Sequence, residues 1–268
     1  MRKSLATLCR SNWLEIVCCL LIWNGAASAN ADQATPAVAA AADLKFALPE
    51  IALAFERESG RKLRLSFGSS GMLAQQITQG APFELFFSAD ENYVAMLQRN
   101  GRGEDGGRPY AFGRIALFIP NGSPVQADRN LRDLAAAARD GRLTRLAIAN
   151  PEHAPYGRAA REALQHLGIW ETLGDKLVLA ENAAQAAQFA ASGSAQAGIV
   201  PLSLTRAADL ATRGAFVTLP EAWHSPLRQR MVLVRGAGNT ARQFYAFMQT
   251  PAARSILERH GFTANSER

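Results

Sequence analysis

The sequence predicts an α/β protein built as two lobes with a ligand cleft between them. Three observations carry that expectation. Short apolar runs alternate with segments of helical periodicity, the rhythm of parallel sheets covered by helices. That rhythm occurs twice, on either side of a glycine-rich, charged stretch at 101–107. The turns from strand into helix are built of small and capping residues, foremost FGSSGML at 67–73. A helix start leaves backbone N–H groups unpaired at its electropositive end, so a glycine- and serine-rich turn there makes a candidate anion seat. The plainer reading of the same turn is a serine N-cap beside a flexible glycine.

With 268 residues the chain is long enough for a sizeable core, and 48% apolar against 19% charged residues is a globular composition. The net charge is +6, of which residues 1–29 supply +2 through Arg2, Lys3, Arg10 and Glu15. The basic residues are scattered and form no stripe with interleaved aromatics, which argues against nucleic acid as a partner. Residues 1–29 read as a cleavable signal peptide: a basic start, a short apolar run at 16–23, and Ala27-Ser28-Ala29 as a cleavage site. Retention of this segment as an anchor is the alternative. Cys9, Cys18 and Cys19 all fall within it, so the mature chain would carry no thiol, in keeping with an exported protein that needs no disulfide.

In chain order, the small apolar run at 35–42 predicts a first buried strand. Leu44, Leu48, Ile51 and Phe55 then recur at helical spacing, with Asp43 at the N-cap position and Gly60 as the stop. A strand at 63–66 leads into the central turn and a helix at 72–79. The apolar run at 83–87 and a helix at 91–98 complete the first half. The second half begins with a strong strand at 115–119. A helix at 131–138, a strand at 146–149, a helix at 158–167, a strand at 176–179, a helix at 184–191 and a strand at 197–200 follow. Strands at 215–219 and 231–234 and helices at 240–248 and 252–260 close the chain.

Four strand-to-helix loops are the candidate site pieces: Ala42-Asp43-Leu44, Gly68-Ser69-Ser70-Gly71, the PEHAPYG run at 151–157, and Glu181-Asn182-Ala183. Several helix starts aimed at one cleft would hold an ionised oxyanion by neutral dipoles, with no lysine or arginine needed at the ligand. Catalytic patterns are weaker. His153, His166, His224 and His260 show no metal-binding spacing, and Ser70 in GSSGM is not a G-x-S-x-G elbow. A Ser70–His153 pair remains open, and Tyr156 could be a packed tyrosine.

Taken together, AAADLKFAL, SFGSSGMLAQQITQGAPFELFFSADENY, NPEHAPYGRAAREALQHLG and AGIV, in this order, resemble the periplasmic molybdate-binding proteins of ABC transporters. The likeness runs through GFT at 261–263. It implies the two-lobed periplasmic binding-protein fold (type II), with molybdate or tungstate held between the lobes and delivered to a membrane permease. It implies a monomer in the periplasm with neither catalytic activity nor a cofactor. Mapped by motif, the family's ligand positions fall on Asp43, Ser70, Tyr156, Ala183 and Pro201, as contacts to the oxyanion and not as metal ligands. Pro201 offers neither an N–H nor a hydroxyl, so the resemblance implies that its contact is absent or replaced, with the Tyr156 hydroxyl as the substitute. Two positions depart from the pattern. Asp43 stands where many members have serine or threonine, and Pro201 stands where some have a tyrosine.

The expected lobes are 35–112 with 227–268, and 113–226. The other readings are a binding protein for another anion, such as sulfate or an organic acid, and a secreted hydrolase using Ser70 and His153. Asp43 poses the sharpest question. A carboxylate about 5 Å from a buried dianion would repel it by roughly 6–7 kcal/mol at an effective dielectric of 20. The expectation is therefore that its side chain turns away and caps its own helix, accepting from Lys45 or Phe46.

Overall fold

The computed structural model describes residues 35–263; the expected signal peptide at 1–29 lies outside the described residues. Among the described residues, ten strands form two five-stranded sheets. The first sheet holds β1 (Ala37–Ala41), β2 (Arg64–Gly68), β3 (Leu85–Ser88), β4 (Arg108–Gly113) and β10 (Leu227–Leu233), in the order β2-β1-β3-β10-β4. The second holds β5 (Ile115–Pro120), β6 (Leu146–Ala149), β7 (Leu177–Ala180), β8 (Ala197–Pro201) and β9 (Gly214–Thr218), in the order β7-β6-β8-β5-β9.

The sheets are mixed, not purely parallel. In the first, β1 runs parallel to β2 and β3, while β10 runs antiparallel to β3 and β4. In the second, β6 runs parallel to β7 and β8, while β5 runs antiparallel to β8 and β9. The reversed strands have a simple cause: β5 and β10 are where the chain enters one sheet from the other, so they arrive without a crossover helix.

The helices follow the strands. In the first half they are α1 (Ala47–Ser59), α2 (Ser70–Thr78) and α3 (Glu91–Arg99). The second half contributes α4 (Arg132–Asp140), α5 (Pro155–His166), the short α6 (Trp170–Leu173), α7 (Ala183–Ala191), and the single turns α8 (Leu202–Thr205) and α9 (Ala208–Ala211). Then α10 (Asn239–Phe247) and α11 (Pro251–Arg259) return to the first sheet. Their boundaries have local reasons. Ser69, Asp90, Asn182 and Thr250 cap α2, α3, α7 and α11 with side-chain oxygens, and Pro155 opens α5 where a missing N–H costs nothing. Gly60 ends α1 in the left-handed conformation, φ 70°.

Two expectations change here. The chain after β1 makes a 3₁₀ turn at Ala42–Leu44 before α1, and α1 has no side-chain cap, so Asp43 is not its N-cap. Strand β4 has no counterpart in the sequence reading, because its arginine, proline and glycines mask the apolar alternation.

Each sheet has its own core. Phe55, Phe87, Tyr110, Phe244 and Phe247 pack edge-to-face under the first, with Phe55 and Phe244 ring centres 5.2 Å apart. Under the second, α7 presents Ala183, Ala186, Ala187 and Ala190, and sits so close to β8 that a Cβ at Gly198 would lie 2.9 Å from that of Ala190. This small-residue contact lets α7 lie close against its own sheet.

Candidate functional site

The strand ends of both sheets meet around a small, nearly closed cleft of about 10 Å³. From the first lobe it is lined by Ala42 and Asp43 after β1, Ser69 and Ser70 at the start of α2, and Ala89 after β3. From the second come Ala154, Pro155 and Tyr156 at the start of α5, and Ala183 at the start of α7. Three helices of nine or more residues therefore begin at one cleft, with their N-terminal dipole ends toward it. No lysine or arginine is among the lining residues.

Of the two serines, Ser69 is the cap. Its Oγ accepts from the Met72 amide at 3.4 Å and lies 2.9 Å from His153 Nδ1 on the other lobe. Ser70 is buried, and its Oγ accepts from the Ala89 amide at 3.0 Å. A hydroxyl has one hydrogen and two lone pairs, so that contact leaves the Ser70 hydrogen free to donate. Because His153 faces Ser69, the Ser70–His153 pair of the hydrolase reading does not form. At α7, Asn182 accepts from the Ala184 and Gln185 amides, and the Ala183 position one residue earlier faces the cleft.

Asp43 is the surprise. Its carboxylate does not cap α1; the Lys45 amide goes to the Ala42 carbonyl instead. The side chain turns to the seam between the lobes, where Oδ2 accepts from the Tyr156 hydroxyl of the second lobe at 2.9 Å and from Gln229 Nε2 on β10 of the first sheet at 2.6 Å. Gln229 Nε2 is also 3.1 Å from the Tyr156 oxygen, which closes a buried three-residue cluster. Asp43 Oδ1 and Gln229 Oε1 have no partner in it. Burial pushes the Asp43 carboxyl up to about 6, against the lowering effect of the Gln229 and Tyr156 hydrogen bonds. Burial, and then the charge on Asp43, push the phenols of Tyr156 and Tyr110 well above their ordinary range. The main-chain carbonyl of Asp43 accepts from Ser203 Oγ at 2.8 Å.

The geometry around Tyr156 is tight. A Cβ on Gly113, at the crossing between the lobes, would lie 2.3 Å from the Tyr156 oxygen and 2.8 Å from Gln229 Nε2. A Cβ on Gly157 would lie 2.0 Å from the Ala149 carbonyl oxygen. Glycine is required at both. Outside the cleft the lobes are clasped by Arg158 on Asp90, and by the Gly71 amide donating to the His153 carbonyl at 3.0 Å.

The structure thus brings Asp43, Ser70, Tyr156 and Ala183 to one place. Pro201 is not among the lining residues: it ends β8, pairs with Ile115 and is buried. Gln229 and Ser203 went unread in the sequence. Gln229 had a signal, since Leu227, Gln229 and Met231 occupy the buried phase of an alternating strand and a polar residue there needs a partner.

Known proteins agree with this architecture. The family model of bacterial extracellular solute-binding proteins matches residues 36–263. The molybdate-binding protein ModA of Azotobacter vinelandii is 35% identical over 235 residues, covering 87% of this chain and 91% of that protein. ModA of Escherichia coli K12 is 35% identical over 241 residues, covering 89% and 92%. The solved structure of the Azotobacter vinelandii periplasmic molybdate-binding protein superposes with a TM-score of 0.78 at 31% identity, over 85% of this chain and 98% of that one. With a family model spanning nearly every described residue and relatives matched almost end to end, the chain belongs to the bacterial extracellular solute-binding proteins and, among them, to the molybdate-binding protein family.

Proposed function

We propose that this chain captures molybdate, or the equally shaped tungstate, in the cleft between its lobes and delivers it to the permease of an ABC transporter. The observation that carries the reading is the lining: three helix starts, a buried Ser70 hydroxyl with an uncommitted hydrogen, and no fixed positive charge. A buried dianion needs every oxygen paired, and neutral donors converging from both lobes supply this without an ion pair. In this reading the Ser70 hydroxyl, the Ala183 amide and the Tyr156 hydroxyl touch the oxyanion, and the Arg158–Asp90 clasp holds the lobes shut over it. The chain works as a monomer in the periplasm, exported through residues 1–29. The lobes divide at 112/113 and 226/227. The role is capture and release, with no bond in the ligand made or broken.

A thermal-shift panel of molybdate, tungstate, sulfate and phosphate tests it. A ligand at a thousandfold excess over Kd adds about 4 kcal/mol, which for a chain of this size is a rise of roughly 8–16 °C. Stabilisation by molybdate and tungstate alone is expected. No shift with either at millimolar concentration refutes the proposal, and an equal shift with sulfate transfers the site to another oxyanion.

A further inference from the structure

The Asp43 cluster is out of place in a seat for a dianion. A carboxylate lines the cleft, and no cation among the described residues faces it. Tyr156 from α5, Gln229 from β10, Tyr110 from β4 and the Ser203 hydroxyl from α8 surround it, all of them neutral. Arg158, on the same helix as Tyr156, is turned to Asp90, and His153 to Ser69. Lys45, two residues along, is exposed.

The hydrogen-bond count in the cluster is short by one proton. With Asp43 ionised, the single Tyr156 hydrogen is committed to Asp43 Oδ2, so that hydroxyl has nothing to give a ligand. The two atoms left without partners, Asp43 Oδ1 and Gln229 Oε1, are both acceptors. One proton on Asp43 Oδ2 frees the phenol and removes the buried charge, while Asp43 Oδ1 and Gln229 Oε1 remain acceptors beside a neutral carboxyl group. The Asp43 O–H donates to the Tyr156 oxygen, the direction of that hydrogen bond reverses, and the phenol hydrogen turns to the anion.

We propose that the cleft takes up its oxyanion together with one proton, which Asp43 holds and relays through Tyr156. The proton comes from solvent on binding and returns to it on release; no bond in the anion changes. This rests on the oxyanion-binding reading above. The position of the carboxyl's own titration, pushed up to about 6 by burial, makes the uptake accessible near neutral pH. Asp43 is thereby a specificity residue: it ties affinity to pH, which a serine at the same place would not do.

Calorimetry of the purified protein with sodium molybdate tests the coupling. Titrations from about pH 6 to about pH 8.5, where molybdate is a dianion, are run in buffers of differing ionisation heat. The expected result is close to one proton taken up per anion at the alkaline end, with Kd rising up to tenfold per pH unit above about pH 6. Asp43→Asn is expected to bind with no proton uptake and a Kd that is flat over the same range. A wild-type Kd that is flat, with no proton uptake, overturns the coupling and leaves the molybdate reading intact. A slope that survives in Asp43→Asn overturns the assignment to Asp43. If that variant fails to fold, the wild-type proton count decides alone. Absence of molybdate and tungstate binding by both proteins at every pH overturns the oxyanion reading and this inference with it.

Discussion

Ser70→Ala separates the ligand contact from the scaffold, because the hydroxyl does two jobs. Its oxygen satisfies the Ala89 amide inside the first lobe, and its hydrogen is left free for the proposed anion. Removing the oxygen leaves a buried N–H unpaired, which costs about 1–3 kcal/mol of stability and lowers the melting temperature of the unliganded protein by roughly 2–12 °C. Removing the hydrogen deletes one charge-assisted bond to the ligand, about 1.5–3 kcal/mol, or roughly ten- to a hundredfold in Kd. Differential scanning calorimetry without ligand reads the first effect, and isothermal titration of the folded variant with molybdate reads the second. Ser69→Ala loses the α2 cap and the contact to His153 but no ligand contact, so its loss of affinity is expected to be the smaller. A folded Ser70→Ala protein with wild-type affinity would refute the assignment of that hydroxyl to the ligand.

Three further outcomes are expected. Arg158→Gln removes the clasp to the largely buried Asp90 carboxylate, so molybdate should dissociate faster, with Kd raised roughly tenfold; an unchanged dissociation rate by stopped flow would remove the pair from the closing mechanism. Gly157→Ala drives a Cβ into the Ala149 carbonyl, so α5 must shift; lower stability and lost affinity are expected together, read by melting temperature and titration. The unliganded protein should also show the Asp43 linkage. Its folded pKa of about 6 lies above the usual carboxylate value, so its contribution is fully present below about pH 4 and is lost as pH rises through about 6. The stability of Asp43→Asn relative to wild type should therefore climb across that window by up to about 3 kcal/mol, and urea titrations showing a constant difference would contradict the buried charge.

The alternation of strand and helix was legible because its signals are local. Gly60 and Asp90 stop and start helices by their own backbone and side-chain chemistry, and Leu48, Ile51 and Phe55 mark a buried face by spacing alone. The cleft-lining positions Ser70, Tyr156 and Ala183 were legible as motif and helix start. What was lost depends on partners distant in sequence. The direction of the Asp43 side chain is set by Tyr156 and Gln229, which no window around residue 43 contains. Pro201 was placed by motif; the structure pairs it with Ile115 at the end of β8, a long-range pairing that no local pattern reveals. Strand β4 is held by its pairing with β10 and not by its own pattern.

The interleaving of the two sheets has a consequence for the order in which the protein forms. Every strand of the second sheet lies between residues 115 and 218, so that sheet can close on segments near one another in the chain. The first sheet cannot be completed until β10 arrives to pair Arg230 with Ser88 and Leu227 with Gly113. Long loops close slowly relative to short ones, so the second sheet is the natural nucleus and the insertion of β10 is a late step. Gln229 rides on β10, so the cluster it forms with Asp43 and Tyr156 is expected to assemble late in folding. An anion that needs this cluster meets no partly folded chain able to hold it. The expected outcome is that molybdate slows unfolding and leaves the refolding rate unaltered, read by stopped-flow with and without the anion.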